Sequence, residues 1–264
     1  MLTRMTDEDW ATVLEVFRAC RSRRGGKGRN DRTFLEALHY FSVHNITWRA
    51  LPETFGNWNS IWKRFWRLSR AGVFEAFFDA LAGMSRTAHL VQMFDSTVVR
   101  AHVSAAGAKG GKIARLWVAR AGAFRPRSTS KIHLKVDLGG LPLAFHLTEG
   151  QASDSPQFEI LLDLGPDITP RAGLGDKGYD GKGNRVAARE RGICPVIPFK
   201  SSAQNRPTFF PKALYRARAR IEQLVGKLKR FKRIALRCEK TVQNYGSLVA
   251  FALGVIIVKS VHTA

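Results

Sequence analysis

Three carboxylates stand out in a chain that otherwise carries a surplus of cations. Asp95 sits inside the apolar stretch Val91–Val99, Asp176 follows directly on Ala172-Gly-Leu-Gly, and Glu222 is the one acid on a basic helix expected from Lys212 to about Arg233. Burying a carboxylate without a partner is costly, so acids in or at the ends of apolar strands need a reason. On that helix, at about 100° per residue, Tyr215, Arg218, Glu222 and Lys229 fall within an arc of roughly 60°. Leu214, Ile221, Val225 and Leu228 form an adjacent apolar stripe, and Arg216, Arg220, Lys227 and Arg230 occupy the far side. Two aspartates at strand ends plus a glutamate from a helix make an oxygen-rich site suited to a hard divalent cation such as Mg²⁺. Two such ions, about 3.5–4 Å apart, could activate a water or a 3′-hydroxyl and stabilise the leaving oxygen in an in-line attack on a phosphodiester. A structural alternative stands beside this one: Asp95 caps its strand, Asp176 starts the turn into Lys177-Gly178-Tyr179, and Glu222 pairs with Arg218. Spacing alone leaves both open.

The elements that must position these acids belong to a chain of 264 residues with 43 Lys plus Arg against 21 Asp plus Glu, a net charge of +22 and an isoelectric point near 10.8. With 45% hydrophobic and 10% aromatic residues it can bury a core, which excludes a disordered basic tail or a small stapled scaffold. Cys20, Cys194 and Cys238 are odd in number and far apart, so neither a disulfide framework nor a zinc ribbon is expected. A reducing cytoplasm fits, and the N-terminus has no apolar signal-peptide region. Leu248–Val258, about eleven apolar residues, is roughly half of what crosses a bilayer and reads as a buried core helix or strand, so no membrane partner is expected.

The positive charge is concentrated. Ala101–Val136 holds eight basic residues and no acid, and Ser201–Lys240 holds twelve against Glu222 and Glu239. Cationic surface of this density fits a polyanion, nucleic acid first.

The first part of the chain reads as helical: Thr33–His44, Asn57–Leu68 and Val73–Ala82, with a break at Gly72. This predicts an all-helical, helix-turn-helix-like module over residues 1–88. Trp48, Trp58, Trp62 and Trp66 are interleaved there with Arg49, Lys63, Arg64, Arg67 and Arg70. The tryptophans read individually as core, and Lys63, Arg64 and Arg67 as DNA contacts. From Val91 strands take over. Val91–Val99 is the first, Ile132–Leu138 and Leu141–Leu147 flank a two-residue Gly139-Gly140 hairpin, and Ser155 N-caps a helix from Pro156 to about Leu164. A short strand ends at Asp176, Lys182–Arg191 is helical, and Cys194–Phe199 is a last strand. The order predicts a mixed α/β sheet with helices on its faces over residues 89–264, with residues 102–131 as a basic connection between the first two strands.

Tyr215, Arg218, Glu222 and Lys229 satisfy Y-x2-R-x3-E-x6-K, and with this pattern the chain resembles bacterial insertion-sequence transposases of the DDE type, in the IS-five family. Phe94-Asp95-Ser96-Thr97, Gly175-Asp176-Lys177-Gly178-Tyr179-Asp180, the Lys131-Ile-His-Leu hairpin, Gly150-Gln-Ala-Ser-Asp-Ser-Pro, Trp48-Arg-Ala-Leu-Pro and Trp58–Phe65 resemble further blocks of that family. The resemblance implies an RNase H-like catalytic fold. Asp95, Asp176 and Glu222 would be both the catalytic triad and the ligands of two Mg²⁺ ions, with Mn²⁺ as substitute. Tyr215, Arg218 and Lys229 would position the cleaved DNA end. Asp180 competes with Asp176 by spacing, but the residue ending the strand is preferred. Asp137 and Asp154 are assigned to turns and caps, and His133 to the strand surface. The implied function is binding of terminal inverted repeats by a homo-oligomer on double-stranded DNA, metal-dependent cleavage at the element ends and joining of the 3′-hydroxyl to target DNA, in a cytoplasmic, nucleoid-associated setting. The alternative is a catalytically inactive or repurposed DNA-binding derivative. The pattern breaks between Gly111 and Lys131, where Ile113–Arg127 reads like the family's Gly/Arg-rich segment in another frame. A frame change over residues 112–130 would explain it.

Overall fold

The computed structural model describes residues 4–21, 30–102, 105, 129–201 and 207–262. The expected frame change over residues 112–130 lies almost wholly outside them. The chain divides into two compact units. One gathers the chain up to Leu81 with the chain from Lys227 onward, together with the described residues after Val98; the other consists of Ala82–Val98 and Thr129–Gly226.

In the second unit, β1 (Val91–Val99), β2 (Ser130–Asp137), β3 (Pro142–Glu149), β4 (Ala172–Leu174) and β5 (Cys194–Val196) form one sheet in the order β3-β2-β1-β4-β5. β2 and β3 are antiparallel, with Ile132 opposite Leu147 and Leu134 opposite Phe145. β4 runs parallel to both β1 and β5, with Met93 opposite Leu174 and Ala172 opposite Cys194. The β2–β3 turn is longer than the expected two residues. Asp137 Oδ1 accepts the Leu141 N–H at 2.8 Å and Gly140 takes φ +87°, so Asp137 does serve the turn. α5 (Gln157–Asp163) and α6 (Lys182–Glu190) complete this unit, and Phe94, Phe158, Leu161, Tyr179, Ala188, Ile193 and Ile197 form a core cluster in it. Ser155 does not cap α5 with its side chain. Its Oγ accepts from Asn184 Nδ2 at 3.1 Å, and Pro156 stands at the cap.

His133 departs from its expected surface position: it is fully buried, its Nε2 2.8 Å from Thr148 Oγ1. Strict alternation placed it opposite Ile132 and Leu134, but all of β2 except Lys131 is buried, so both of its faces are covered. Asp154 likewise does more than punctuate a turn, since its Oδ1 is 2.9 Å from Lys131 Nζ and 3.4 Å from His133 Nδ1.

The expected long helix from Lys212 is broken into α7 (Lys212–Tyr215), a 3₁₀ turn over Arg216–Arg218, α8 (Ala219–Lys229) and α9 (Lys232–Ala235). The tighter 3₁₀ winding adds about 20° per residue there, which changes the face on which Tyr215 meets Glu222.

The first unit contains α1 (Asp7–Ala19), α2 (Asp31–His44), α3 (Trp58–Arg70) and α4 (Val73–Ala82, ending at the boundary). α1, not anticipated, carries a reciprocal capping box: Thr6 Oγ1 accepts from the Asp9 N–H at 3.1 Å and Asp9 Oδ2 from the Thr6 N–H at 2.8 Å. Asn57 caps α3, and Gly72, at φ +70°, separates α3 from α4. The apolar run Leu248–Val258 lies within α10 (Val242–His262), whose residues Tyr245–Lys259 are all buried. Phe251 meets Phe74 and Phe77 at ring distances of 6.2 and 6.4 Å, and a Cβ on Gly254 would stand 2.4 Å from the Phe77 ring. Among the described helices α10 alone is long and apolar enough to cross a membrane; here it is the core around which α1, α2 and α3 pack. The expected division at residue 88 follows the change from helices to strands along the chain, whereas in space the C-terminal residues join the N-terminal helices.

Candidate active site

β1 delivers Asp95 at the point where its burial gives way, after Met93 and Phe94. Its Oδ1 accepts the Ser96 N–H at 2.8 Å and its Oδ2 lies 3.2 Å from Arg218 Nη2, in a pair whose side chains are 20% and 12% exposed. The same guanidinium donates through Nη1 to the Tyr215 hydroxyl at 3.1 Å and stands 5.6 Å from the Tyr215 ring centroid. Asp176 follows β4 and turns the chain: its Oδ1 accepts the Gly178 N–H at 2.8 Å, capping the 3₁₀ turn Lys177–Tyr179. Glu222 is exposed in the first turn of α8.

The three acids lie within electrostatic reach of one another. Burial pushes the Asp95 carboxyl above its ordinary range; the Ser96 N–H and Arg218 pull it back, and the charges of Asp176 and Glu222 raise it again. Asp95 therefore feels both other acids, with Arg218 as the cation among its neighbours. Asp180 is engaged elsewhere, by Arg185 Nη2 at 2.8 Å and the Lys200 N–H at 2.7 Å, which hold its carboxyl low despite burial.

The expected DNA contacts are placed as follows. Lys63 and Arg67 are exposed on α3. Arg64 instead pairs with the buried Asp31, which also binds Arg18 at 3.0 Å and Arg21 at 2.5 Å, and lies 4.3 Å over the Phe34 ring. Trp48, Trp58 and Trp62 are half-buried and Trp66 is exposed, with Arg70 5.0 Å from its ring. Lys229 is exposed at the end of α8, in the stretch that belongs to the first unit.

Two residues beside the acids were not assigned to the site from sequence: Asp154 is expected there at a turn or cap, and Tyr179 carries no role. A Cβ on Gly178 would stand 2.9 Å from Asp176 Oδ1 and 3.4 Å from Asp154 Oδ2, so Asp154 shares the Asp176 corner. Tyr179 is buried against Phe158, ring centroids 5.7 Å apart, and its hydroxyl has no hydrogen-bond partner among the described residues. Both lie in blocks that carry the family resemblance, but nothing in their spacing separated them from turn and core residues.

As a donor set, carboxylates alone suit a hard divalent cation, and Asp95 is incompletely neutralised by its one arginine. Among the described residues no three His, Cys, Asp or Glu side chains are gathered tightly enough to form a ready-made metal cage. Coordination would require the acids to close in and Arg218 to yield Asp95 Oδ2.

Residues 86–253 match the family model described as "Transposase DDE domain", and residues 5–78 match "Putative transposase of IS4/5 family". The chain is 37% identical over 136 residues to the "Putative transposase for insertion sequence element IS6501" of Brucella ovis, covering 48% of this chain and 97% of that protein. It is 33% identical over 134 residues to the "Putative transposase for insertion sequence element IS402" of Burkholderia cepacia, covering 47% of this chain and 61% of that protein. The acids at Asp95, Asp176 and Glu222 all fall within the matched DDE region, and the chain belongs to the DDE transposases of insertion sequences.

Proposed function

We propose that this transposase binds the terminal inverted repeats of its element, cleaves the element ends by metal-dependent hydrolysis and joins the freed 3′-hydroxyl to target DNA, acting as a homo-oligomer on DNA. The observation that carries the reading is geometric: β1 and β4 pair with Met93 opposite Leu174, so Asp95 and Asp176 leave the same end of adjacent strands, and Arg218, four residues before Glu222, reaches Asp95 Oδ2 at 3.2 Å. The strand order β3-β2-β1-β4-β5, antiparallel on one side and parallel on the other, supports an RNase H-like fold for this unit.

In this reading Asp95, Asp176 and Glu222 hold two Mg²⁺ ions, with Mn²⁺ as substitute. The bound ions supply the positive charge needed at the attacking and leaving oxygens of an in-line displacement. Asp95 offers Oδ2 once Arg218 swings away, and Asp176 keeps one oxygen on the Gly178 N–H, which fixes the direction of the other. Arg218, released from Asp95 but still within reach of Tyr215, is a forked donor suited to a phosphate of the cleaved strand. Lys229 is an exposed cation for the same backbone. In the first unit, Lys63 and Arg67 on α3 would contact the DNA end, while Arg64 maintains the α2–α3 arrangement through Asp31.

The test is cleavage of labelled DNA carrying the element's own end and its genomic flank, with Mg²⁺ or Mn²⁺. Metal-dependent cutting at the end that disappears in Glu222→Gln, with binding retained, is the expected result. Binding without cutting in both proteins would establish a non-catalytic DNA-binding derivative instead.

A further inference from the structure

The Tyr179 hydroxyl is a fully buried donor with nothing among the described residues to receive its hydrogen bond. Such groups are rare in folded proteins, and each needs an explanation in a ligand, an ordered water or a function. Its position is not loose. The ring belongs to the Phe94–Phe158–Leu161 core cluster and lies so close to Gly175 that a Cβ there would stand 3.1–3.3 Å from it. Packing therefore aims the hydroxyl.

Its surroundings define where it is aimed. Beyond burial, the charges that act on Tyr179 are those of Asp154, Asp95 and Asp176, opposed by Arg218. A phenol is a donor at neutral pH, and Asp176, whose C=O accepts the Tyr179 N–H at 3.1 Å, and Asp154, beside the adjoining Gly178, are acceptors in its neighbourhood. Asp154 is held independently by an ion pair with Lys131, its Oδ1 2.9 Å from Nζ, and shares the Gly178 corner with Asp176. Arg218 Nε is also buried without a hydrogen-bond partner among the described residues. A water ordered among these groups would find the two to four polar partners that a buried water requires.

We infer that Tyr179 is a positioning residue of the acid site: when a divalent cation is bound, its hydroxyl donates to a water ordered between Asp154 and Asp176, and Asp154 is the anchored wall against which that water is held. The inference rests on the proposed reading of Asp95 and Asp176 as cation ligands. It gives a role to a hydroxyl at a position where a phenylalanine would satisfy the core.

Tyr179→Phe keeps the ring and deletes only the donor. The full-length protein, Tyr179→Phe, Asp154→Asn and Asp95→Asn would each be melted in EDTA and in excess Mg²⁺ or Mn²⁺, and the rise in midpoint on adding the cation compared. Expected for Tyr179→Phe is a midpoint in EDTA equal to or above that of the parent, a cation-induced rise cut by at least half, and end cleavage slowed about 10–100-fold, as for other groups that orient metal ligands. Asp154→Asn should also blunt the rise. A Tyr179→Phe protein with a lower midpoint in EDTA and an undiminished rise would overturn the inference and make Tyr179 a packing residue. So would an undiminished rise in Asp154→Asn. Asp95→Asn separates the two levels. If it keeps the full rise, or if the parent shows none, the cation site itself fails; if it loses the rise while Tyr179→Phe keeps it, only the role of Tyr179 fails.

Discussion

Arg218 binds Asp95 and Tyr215 with different nitrogens of one guanidinium, at 3.2 Å through Nη2 and 3.1 Å through Nη1. The side chain that the family resemblance assigns to the DNA grip is thus also the counter-ion of Asp95, the first of the proposed metal-binding acids. Two tasks compete for one cation. Removing Arg218 should therefore separate them: Arg218→Gln is expected to lose end cleavage while keeping or enlarging the midpoint rise caused by Mg²⁺, measured by thermal melts beside a cleavage assay. A loss of that rise would mean that Arg218 helps to build the acid site rather than screening it.

Asp95 should cost stability when no cation is bound. Its folded pKa lies above the unfolded value of 3.8, so its proton favours the folded state; stability falls as pH rises from 3.8 through the folded value and is level above it. Asp95→Asn removes that penalty and is expected to raise the midpoint at pH 7 in EDTA by about 2–4 °C, the shift typical of about 1 kcal/mol at this chain length. A lower midpoint would show that the Arg218 pair outweighs the repulsion from Asp176 and Glu222.

The opposite sign holds for Asp9. It is buried with Lys259 Nζ at 3.0 Å and His262 Nδ1 at 2.7 Å. Against the cost of burial, the Thr6 N–H, His262 and Lys259 hold its carboxyl far below the usual range. Its contribution is present above the unfolded value of 3.8 and is lost as pH falls below it. Asp9→Asn should lower urea stability by about 3 kcal/mol at pH 7, because Lys259 keeps a buried charge without its carboxylate. The difference from the parent should narrow below about pH 4.

Arg64 and its neighbours on α3 should respond differently to the same substitution. Lys63→Ala and Arg67→Ala are expected to weaken DNA binding across sequences and each to reduce the slope of log affinity against log salt by about 1, with little change in melting. Arg64→Ala should instead lower the melting midpoint, since it strips a partner from the buried Asp31.

Gly178→Ala tests the corner shared by Asp154 and Asp176. The added Cβ would press on Asp176 Oδ1 at 2.9 Å and Asp154 Oδ2 at 3.4 Å. A displacement of that order is expected to slow cleavage about 100-fold with circular dichroism unchanged.

Local order was readable where residues alternate or punctuate. Val91–Val99 and Val73–Ala82 have the bounds that periodicity predicts, and Gly139-Gly140 marks the hairpin even though its turn is longer. The Thr6–Asp9 capping box is likewise written in the sequence, as the local signal for the start of α1. His133 was misplaced because alternation assumes one wet face, and β2 has almost none. For the acids, residue type and the Y-x2-R-x3-E-x6-K spacing picked out Asp95, Asp176, Glu222 and Arg218. The pairing of Arg218 with Asp95 was not legible, because 123 positions separate them and only the sheet topology decides their approach. Tyr179 and Asp154 were hidden for a related reason: an orphaned hydroxyl is a property of packing, not of composition.

The ion pair of Asp9 with Lys259 spans 250 positions, and α10 supplies the interior for helices made at the opposite end of the chain. During synthesis, α1–α4 must therefore wait with their apolar faces uncovered until α10 has left the ribosome, whereas the unit made of Ala82–Val98 and Thr129–Gly226 can pack its own core earlier. A gene copy interrupted anywhere before Val242 would yield helices that cannot close, and such truncated products should be cleared by proteolysis rather than persist as competing binders of the element's ends.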